Sequence, residues 1–297
     1  MIELKTEQLS VQFQTFGGAL SSIKDKDGIE YLWQGDPTYW SGQAPVLFPI
    51  CGSVRNDTVL YDQEDGSQVK GKIPRHGLVR KKDFELVDQT DNSVTFAIED
   101  DQEMYESYPY HFRLEITYTV TGKTIRTQYQ VTNKETDKKM PYFIGVHPGF
   151  NCPLFHDEGY EDYYLEFEKP ETCTVPKPFP ETGMLDFQDR SSWLKDQKEL
   201  DLNYDFFSYD AVTLDELASR SVSLRSRKYD KGLKLDFEEF PNLIVWSTLN
   251  KSPFLALEPW SGLSTSLEEG DHLEDKKNVR ILNPGQSDQI GFDIEIF

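Results

Sequence analysis

Apolar and polar residues alternate with a period of two along most of the chain. Leu9–Gln14, Asp83–Val87, Ser93–Ile98, Phe112–Val120 and Thr124–Val131 all show it, as do Ser221–Arg225, Leu233–Phe237 and Asp288–Ile296. That period puts every second side chain on one face of an extended backbone, so each segment predicts a half-buried β-strand. Ala19–Ile23 and Asp210–Leu214 predict shorter strands, and Glu30–Trp33 is expected to resume the opening meander after an Asp25–Gly28 turn. Thr121-Gly122-Lys123 joins two long alternating runs, which predicts a hairpin. Leu243–Thr248 is apolar on both faces for most of its length, as a strand inside a sandwich should be; in Phe254–Trp260, Phe254, Ala256 and Glu258 share a face and Pro259 is expected to end the strand. Pro141–Asn151 reads as a strand that stops at Pro148 and delivers His147 at its end, with Gly145 leaving a gap on the same face.

Three stretches break the alternation. Gly35–Asn56 carries spaced prolines and aromatics and predicts an ordered loop, with Arg55 its one cation. His76 falls on a second loop, Lys70–Leu78, and Asp100–Tyr110 has room for one helical turn. Between Asn151 and Tyr209 the pattern weakens among prolines, and Ser191–Leu200 predicts a short helix. No repeat or linker divides the chain. The expectation is one all-β domain over residues 1–297, a large antiparallel two-sheet β-sandwich.

Charge narrows the partners. With 31 basic and 52 acidic residues, a net charge of −21 repels nucleic-acid phosphates and anionic membrane surfaces. Aromatics at 13% can furnish both a core and a stacking surface for a sugar. No basic–apolar leader opens the sequence and its three cysteines have no metal-like spacing, so reduced thiols in a cytoplasm are expected.

The chemistry rests on residues at strand ends and loops. A carboxylate at the tip of an apolar strand, Glu258, is costly unless solvated, paired or functional. HxH, HExxH and CxxC spacings are absent, as are the GxSxG elbow and the GxGxxG and GxxxxGK[ST] loops, so metal, serine-hydrolase and nucleotide chemistry have no motif. Two readings fit the residues themselves. Glu258 with Asp236 or Glu238 would be the carboxylate pair of a glycosidase. Glu258 with a histidine would do acid–base work on a hydroxyl and an ether-like oxygen, without cofactor.

Ala44–Ile50, Val54-Arg55-Asn56, Arg75-His76-Gly77, Val146-His147-Pro-Gly-Phe-Asn151 and Leu257-Glu258 occur in the order found in aldose 1-epimerases. Over nearly its whole length the chain resembles that family, in its LacX-type branch. The resemblance implies a galactose mutarotase-like β-supersandwich with an open sugar cleft, a cofactor-free isomerase acting on an aldohexose as a monomer or weak homodimer. It implies Glu258 as the base on the anomeric hydroxyl and His147 as the acid on the ring oxygen. That assignment requires a His147 pKa held near or above the free value of roughly 6.5. His76 and Arg55 would bind sugar oxygens beside the reacting centre, and Asp210 resembles the family's hydroxyl-binding aspartate. Val-Arg-Asn-Asp and His-Pro-Gly-Phe-Asn depart from the best-studied mutarotases at the cleft, which bears on the sugar more than on the chemistry. Two alternatives accompany this reading. A hexose-6-phosphate 1-epimerase would need cations such as Arg55, Arg75, Arg80 and Lys81; a non-catalytic sugar-binding protein would not need both Glu258 and His147.

Overall fold

The computed structural model describes residues 2–62 and 66–297. Its largest element is a nine-stranded antiparallel sheet. The order is Met184–Asp201, Tyr163–Phe179, Ser221–Ser226, Gly232–Asp236, Ser287–Ile296, Thr124–Asn133, Phe112–Thr121, Ser93–Glu99 and Glu85–Gln89. A second sheet runs Val212–Leu214, Asn242–Trp246, Phe254–Trp260, Gly145–Val146 and Val46–Leu47, with Gly149–Asn151 also pairing with Phe254–Trp260. Ile2–Lys5, Leu9–Gln14 and Ala19–Asp25 form a three-stranded meander. Among the described residues helix is confined to Gln102–Ser107, capped by the Asp101 carboxylate on the Met104 N–H, and to short 3-10 turns. The fold is thus the all-β sandwich that the alternation predicts. No helix among the described residues is long and apolar enough to cross a membrane.

The alternating segments become strands because one face of each has somewhere to go. Along Phe112–Thr121 the buried positions are Phe112, Leu114, Ile116, Tyr118 and Val120, and the hairpin partner Thr124–Asn133 buries Ile125, Thr127, Tyr129 and Val131. A single apolar cluster draws on all the sheets. Phe13 of the meander meets Tyr118 at 4.8 Å between ring centroids, and Phe48 meets Phe112 at 4.8 Å. Phe254–Trp260 is buried at every position, as a central strand covered on both faces must be.

Four local expectations fail, each for a physical reason. Ser191–Leu200 is not a helix; it lies within the strand Met184–Asp201, which pairs with Tyr163–Phe179 through four register shifts. The prolines there are tolerated because Ser221–Ser226 ladders only Tyr163–Phe167, so one edge of the strand beyond needs no N–H. Glu30–Trp33 makes only isolated bridges, Lys24 to Glu30 and Leu32 to Phe150. Pro259 does not end its strand, since Leu243 still pairs with it and Asn242 with Trp260. The gap left by Gly145 is filled from within: a Cβ there would lie 2.8 Å from Cys51 Sγ and 2.9 Å from Trp260 Cδ1.

Candidate active site

His147 and Glu258 belong to neighbouring strands of the second sheet. Gly145 pairs with Trp260, and Gly149 pairs with Ala256, so one register holds on both sides of the short break at His147-Pro148. That register sets His147 directly opposite Glu258. Leu257 N–H donates to Pro148 O at 3.2 Å and Ser261 N–H to Ile144 O at 2.9 Å. The His147–Glu258 position therefore falls between ladder bonds, where opposed side chains come closest. Pro148 and Pro259 each withhold a donor here, and the His147 N–H turns away to Pro45 O at 3.0 Å. The prolines interrupt the hydrogen bonding without shifting the register. The result is an imidazole Nε2 3.4 Å from a Glu258 carboxylate oxygen.

This pair forms the floor of a cavity of about 440 Å³. Trp40, Arg75, His76, Arg80, Lys81, Asp210, Trp246 and Trp260 are among its walls. Trp40 stacks on the His147 ring at 4.6 Å and 29°, while Trp246 meets it edge-on at 5.2 Å. The Trp40 backbone carbonyl is held by the Trp33 indole N–H at 2.8 Å. Glu258 is 1% exposed and His147 8%. Glu258 Oε2 and Trp260 Nε1 are buried without a hydrogen-bond partner in the protein.

His76 reaches the cavity through a strained turn. Its φ is 69°, a left-handed conformation costly for a residue with a Cβ. Its N–H donates to Gly52 O at 2.8 Å, and its Nδ1 accepts from Gly52 N–H at 3.3 Å. An accepting Nδ1 leaves the ring hydrogen on Nε2, a ready donor to an oxygen. Gly77 makes the turn possible: a Cβ there would lie 2.0 Å from Phe48 O.

Burial decides the charge state of the floor. It raises the Glu258 carboxyl well above the ordinary range; the Arg75 charge pulls the other way and the Asp210 carboxylate adds to the rise. Burial pushes His147 down to about 3, with the Arg75 and Arg80 charges contributing. The expectation of a His147 pKa near or above its free value is corrected here, because desolvation of the imidazolium outweighs the backbone hydrogen bond that favours it. Burial likewise keeps His76 well below its usual value, helped by His147 and Arg75.

Of the residues singled out in the sequence, Glu258, His147, His76 and Asp210 converge on this cavity. Arg55 does not. Its guanidinium donates to Ser266 O at 3.2 Å and Glu269 O at 2.7 Å, and lies 3.2 Å from Asp271. Those contacts turn it away from the cavity. Asp236 and Glu238 are not among the lining residues either, and Asp236 faces Lys234 at 3.9 Å from the other sheet. The carboxylate pair of the glycosidase reading is therefore not assembled. The sequence reading gave no individual role to Trp40, Trp246 and Trp260. The signal for two of them was their place on strands shared with Glu258 or paired to it.

The aldose 1-epimerase family model matches residues 1–280. The chain belongs to the aldose 1-epimerase family. It is 62% identical to the chromosomal protein LacX of Lactococcus lactis subsp. lactis over 295 residues, covering 99% of each chain. Among solved structures it is similar to a galactose mutarotase related enzyme from Lactobacillus acidophilus: TM-score 0.91, 29% identity, 100% of this chain and 97% of that one covered. A galactose mutarotase-like protein from Lactobacillus casei ATCC 334 matches at TM-score 0.90 and 28% identity, with both chains fully covered.

Proposed function

We propose that this epimerase-family protein interconverts the α and β anomers of an aldohexose by acid–base ring opening and reclosure, without a cofactor. The observation that carries the reading is the opposed His147–Glu258 pair on the cavity floor, 3.4 Å apart. The anomeric hydroxyl and the ring oxygen are bonded to the same carbon, so two groups this close can each reach one of them. Glu258 takes the proton of the anomeric hydroxyl while His147 protonates the ring oxygen, and the hemiacetal opens. Rotation about the C1–C2 bond and reclosure, with the roles exchanged, yield the other anomer. The pair carries one proton throughout. Opening moves it from His147 to Glu258 by way of the sugar, and closing returns it. His76 Nε2–H, Asp210 and the indoles hold the sugar, and the apolar walls exclude water from the transfer.

One observation favours a phosphorylated hexose as a second reading. In a chain of net charge −21, Arg80 and Lys81 line the cavity with no carboxylate partner among the described residues. Fresh α-D-galactose and α-D-glucose, each with and without a 6-phosphate, would be followed by polarimetry or proton NMR. Accelerated anomer exchange with any of them supports the reading, and the preferred pair member decides the role of the cations. Exchange no faster than in buffer with all four would refute it.

A further inference from the structure

Besides Arg80 and Lys81, which line the cavity wall, Arg55 and Arg75 are candidates for a substrate-facing cation, and their surroundings differ. All the strong contacts of Arg55 are internal: Ser266 O, Glu269 O and the Asp271 carboxylate. These tie the 3-10 turn Arg55–Asp57 to the segment that follows Leu263. That segment in turn grips the loop before Arg55. Thr265 N–H donates to Ser53 O at 2.8 Å, and Ser264 Oγ accepts from Ser53 N–H at 3.0 Å. Gly52, next in the chain, holds His76 at both its backbone N–H and its ring. Arg55 thus stands at the far end of a chain of contacts that ends on His76.

Arg75 is adjacent to His76 and lines the cavity directly. Its Nη2 lies 3.4 Å from Asp210 Oδ2, and its side chain stays 43% exposed. Charge-assisted bonds usually close to about 2.7–2.9 Å, so this contact leaves the guanidinium fork largely free. The other Asp210 oxygen is already taken by the Ala211 N–H at 2.8 Å. Gly183 packs against the Gly52–Ser53 loop beside it, where a Cβ would lie 2.4 Å from Ser53 Oγ. The Arg75 charge is felt by Glu258, His147 and His76 alike.

We propose that Arg75, and not Arg55, is a guanidinium that contacts substrate in this site, and that Arg55 is a positioning residue which fixes the Gly52–Ser53 loop under His76. This rests on the epimerase reading for its kinetic consequences, and on sugar binding alone for the contact itself. A guanidinium beside the floor stabilises the ionised form of Glu258, the form that begins ring opening. It also opposes protonation of His147. The charged and titratable groups around that floor are Glu258, His147, His76, Asp210, Arg80 and Lys81, and Arg75 is the cation joined to Asp210.

The test compares Arg75→Ala, Arg75→Lys and Arg55→Ala in the full chain, with α-D-galactose and its 6-phosphate as probes. Anomer exchange gives kcat and KM, tryptophan fluorescence gives sugar binding through Trp40 and Trp260, and thermal unfolding gives stability. Losing a charged hydrogen bond to substrate should raise KM and weaken binding by about tenfold or more in Arg75→Ala. Arg75→Lys should recover part of this. Both limbs of the pH profile should move to higher pH in Arg75→Ala, since a positive charge that disfavours protonation of Glu258 and His147 is gone. Arg55→Ala should melt earlier and, through the loosened loop under His76, raise KM less than Arg75→Ala does, with the pH profile of the wild type; Arg55→Lys supplies the comparison if the alanine variant does not fold. Wild-type KM, binding and pH profile in Arg75→Ala would overturn the proposal, as would a raised KM at unchanged melting temperature in either Arg55 variant. A wild type that binds sugar but exchanges no anomers would end the epimerase reading, and the binding data would still decide between the arginines. Absence of any sugar binding by the wild type would overturn both.

Discussion

Replacing Glu258 by glutamine separates the catalytic claim from the structural one. The side chain is 1% exposed and lies 3.4 Å from His147 Nε2, so an isosteric amide fits without repacking but cannot take a proton. Loss of a general base removes about 10²–10⁴-fold from kcat, or roughly 2.7–5.5 kcal/mol of transition-state stabilisation. His147→Asn should do likewise. The double variant should be little slower than the worse single one, because the two groups act as a unit. Stability should move the other way. Glu258 has a folded pKa raised well above the ordinary value, so the folded state holds its proton more tightly than the unfolded chain does. Its contribution is fully present below the unfolded pKa and is lost as pH climbs through the raised one. Glutamine has no such loss. The gap in favour of Glu258→Gln should widen by about 1.4 kcal/mol per pH unit across that window. For a chain of 297 residues this is roughly 2 °C per unit in Tm. Anomer exchange measured beside thermal unfolding from pH 5 upward checks both arms. A Glu258→Gln protein that exchanges anomers at the wild-type rate refutes the mechanism; one whose Tm runs parallel to wild type with pH refutes the burial argument.

The wild-type pH–rate profile should be a broad bell, with a second proton joining His147 on the acid side and the last proton leaving Glu258 on the alkaline side. A steep acid limb near the free-histidine value would contradict this. Gly77→Ala should destabilise by about 2–5 kcal/mol, since its Cβ would meet Phe48 O at 2.0 Å and its φ is 82°. Urea unfolding measures the loss, and displacement of His76 should raise KM in the protein that still folds. Dialysis against a chelator should leave anomer exchange unchanged; activity lost on chelation and restored by one divalent ion would reassign Glu258 and the histidines to a metal.

Much of the sheet was legible in the sequence because alternation is a local signal with a direct physical cause. Leu9–Gln14 forms over those very residues, and the Phe112–Thr121 and Thr124–Asn133 hairpin turns at Gly122. The strand Met184–Asp201 was not legible. Its Ser191–Leu200 segment is charged and weakly patterned, and only pairing with Tyr163–Phe179 makes it extended. His147 and Glu258 were visible as polar residues at proline-marked strand ends, and His76 as a histidine on a glycine-flanked turn. That the first two face each other was not. Their opposition follows from a register held by Gly145, Trp260, Gly149 and Ala256, which is a property of paired strands far apart in sequence.

The roles of the arginines belong to tertiary structure altogether. Residue type and loop context made Arg55 a fair candidate for the cleft. Its fate was decided by Ser266, Glu269 and Asp271, more than two hundred residues away, which hold its guanidinium by two hydrogen bonds and an ion pair. Charge state was decided the same way. The sequence places a histidine and a glutamate in an acidic protein, which by itself favours an imidazolium and a carboxylate. Packing between Trp40, Trp246 and Trp260 removes the water that would solvate those charges, so burial raises the Glu258 pKa and lowers that of His147. Composition and alternation determine which residues are strand and which are core. Which charges meet, and whether they remain charges, depends on what the fold packs around them.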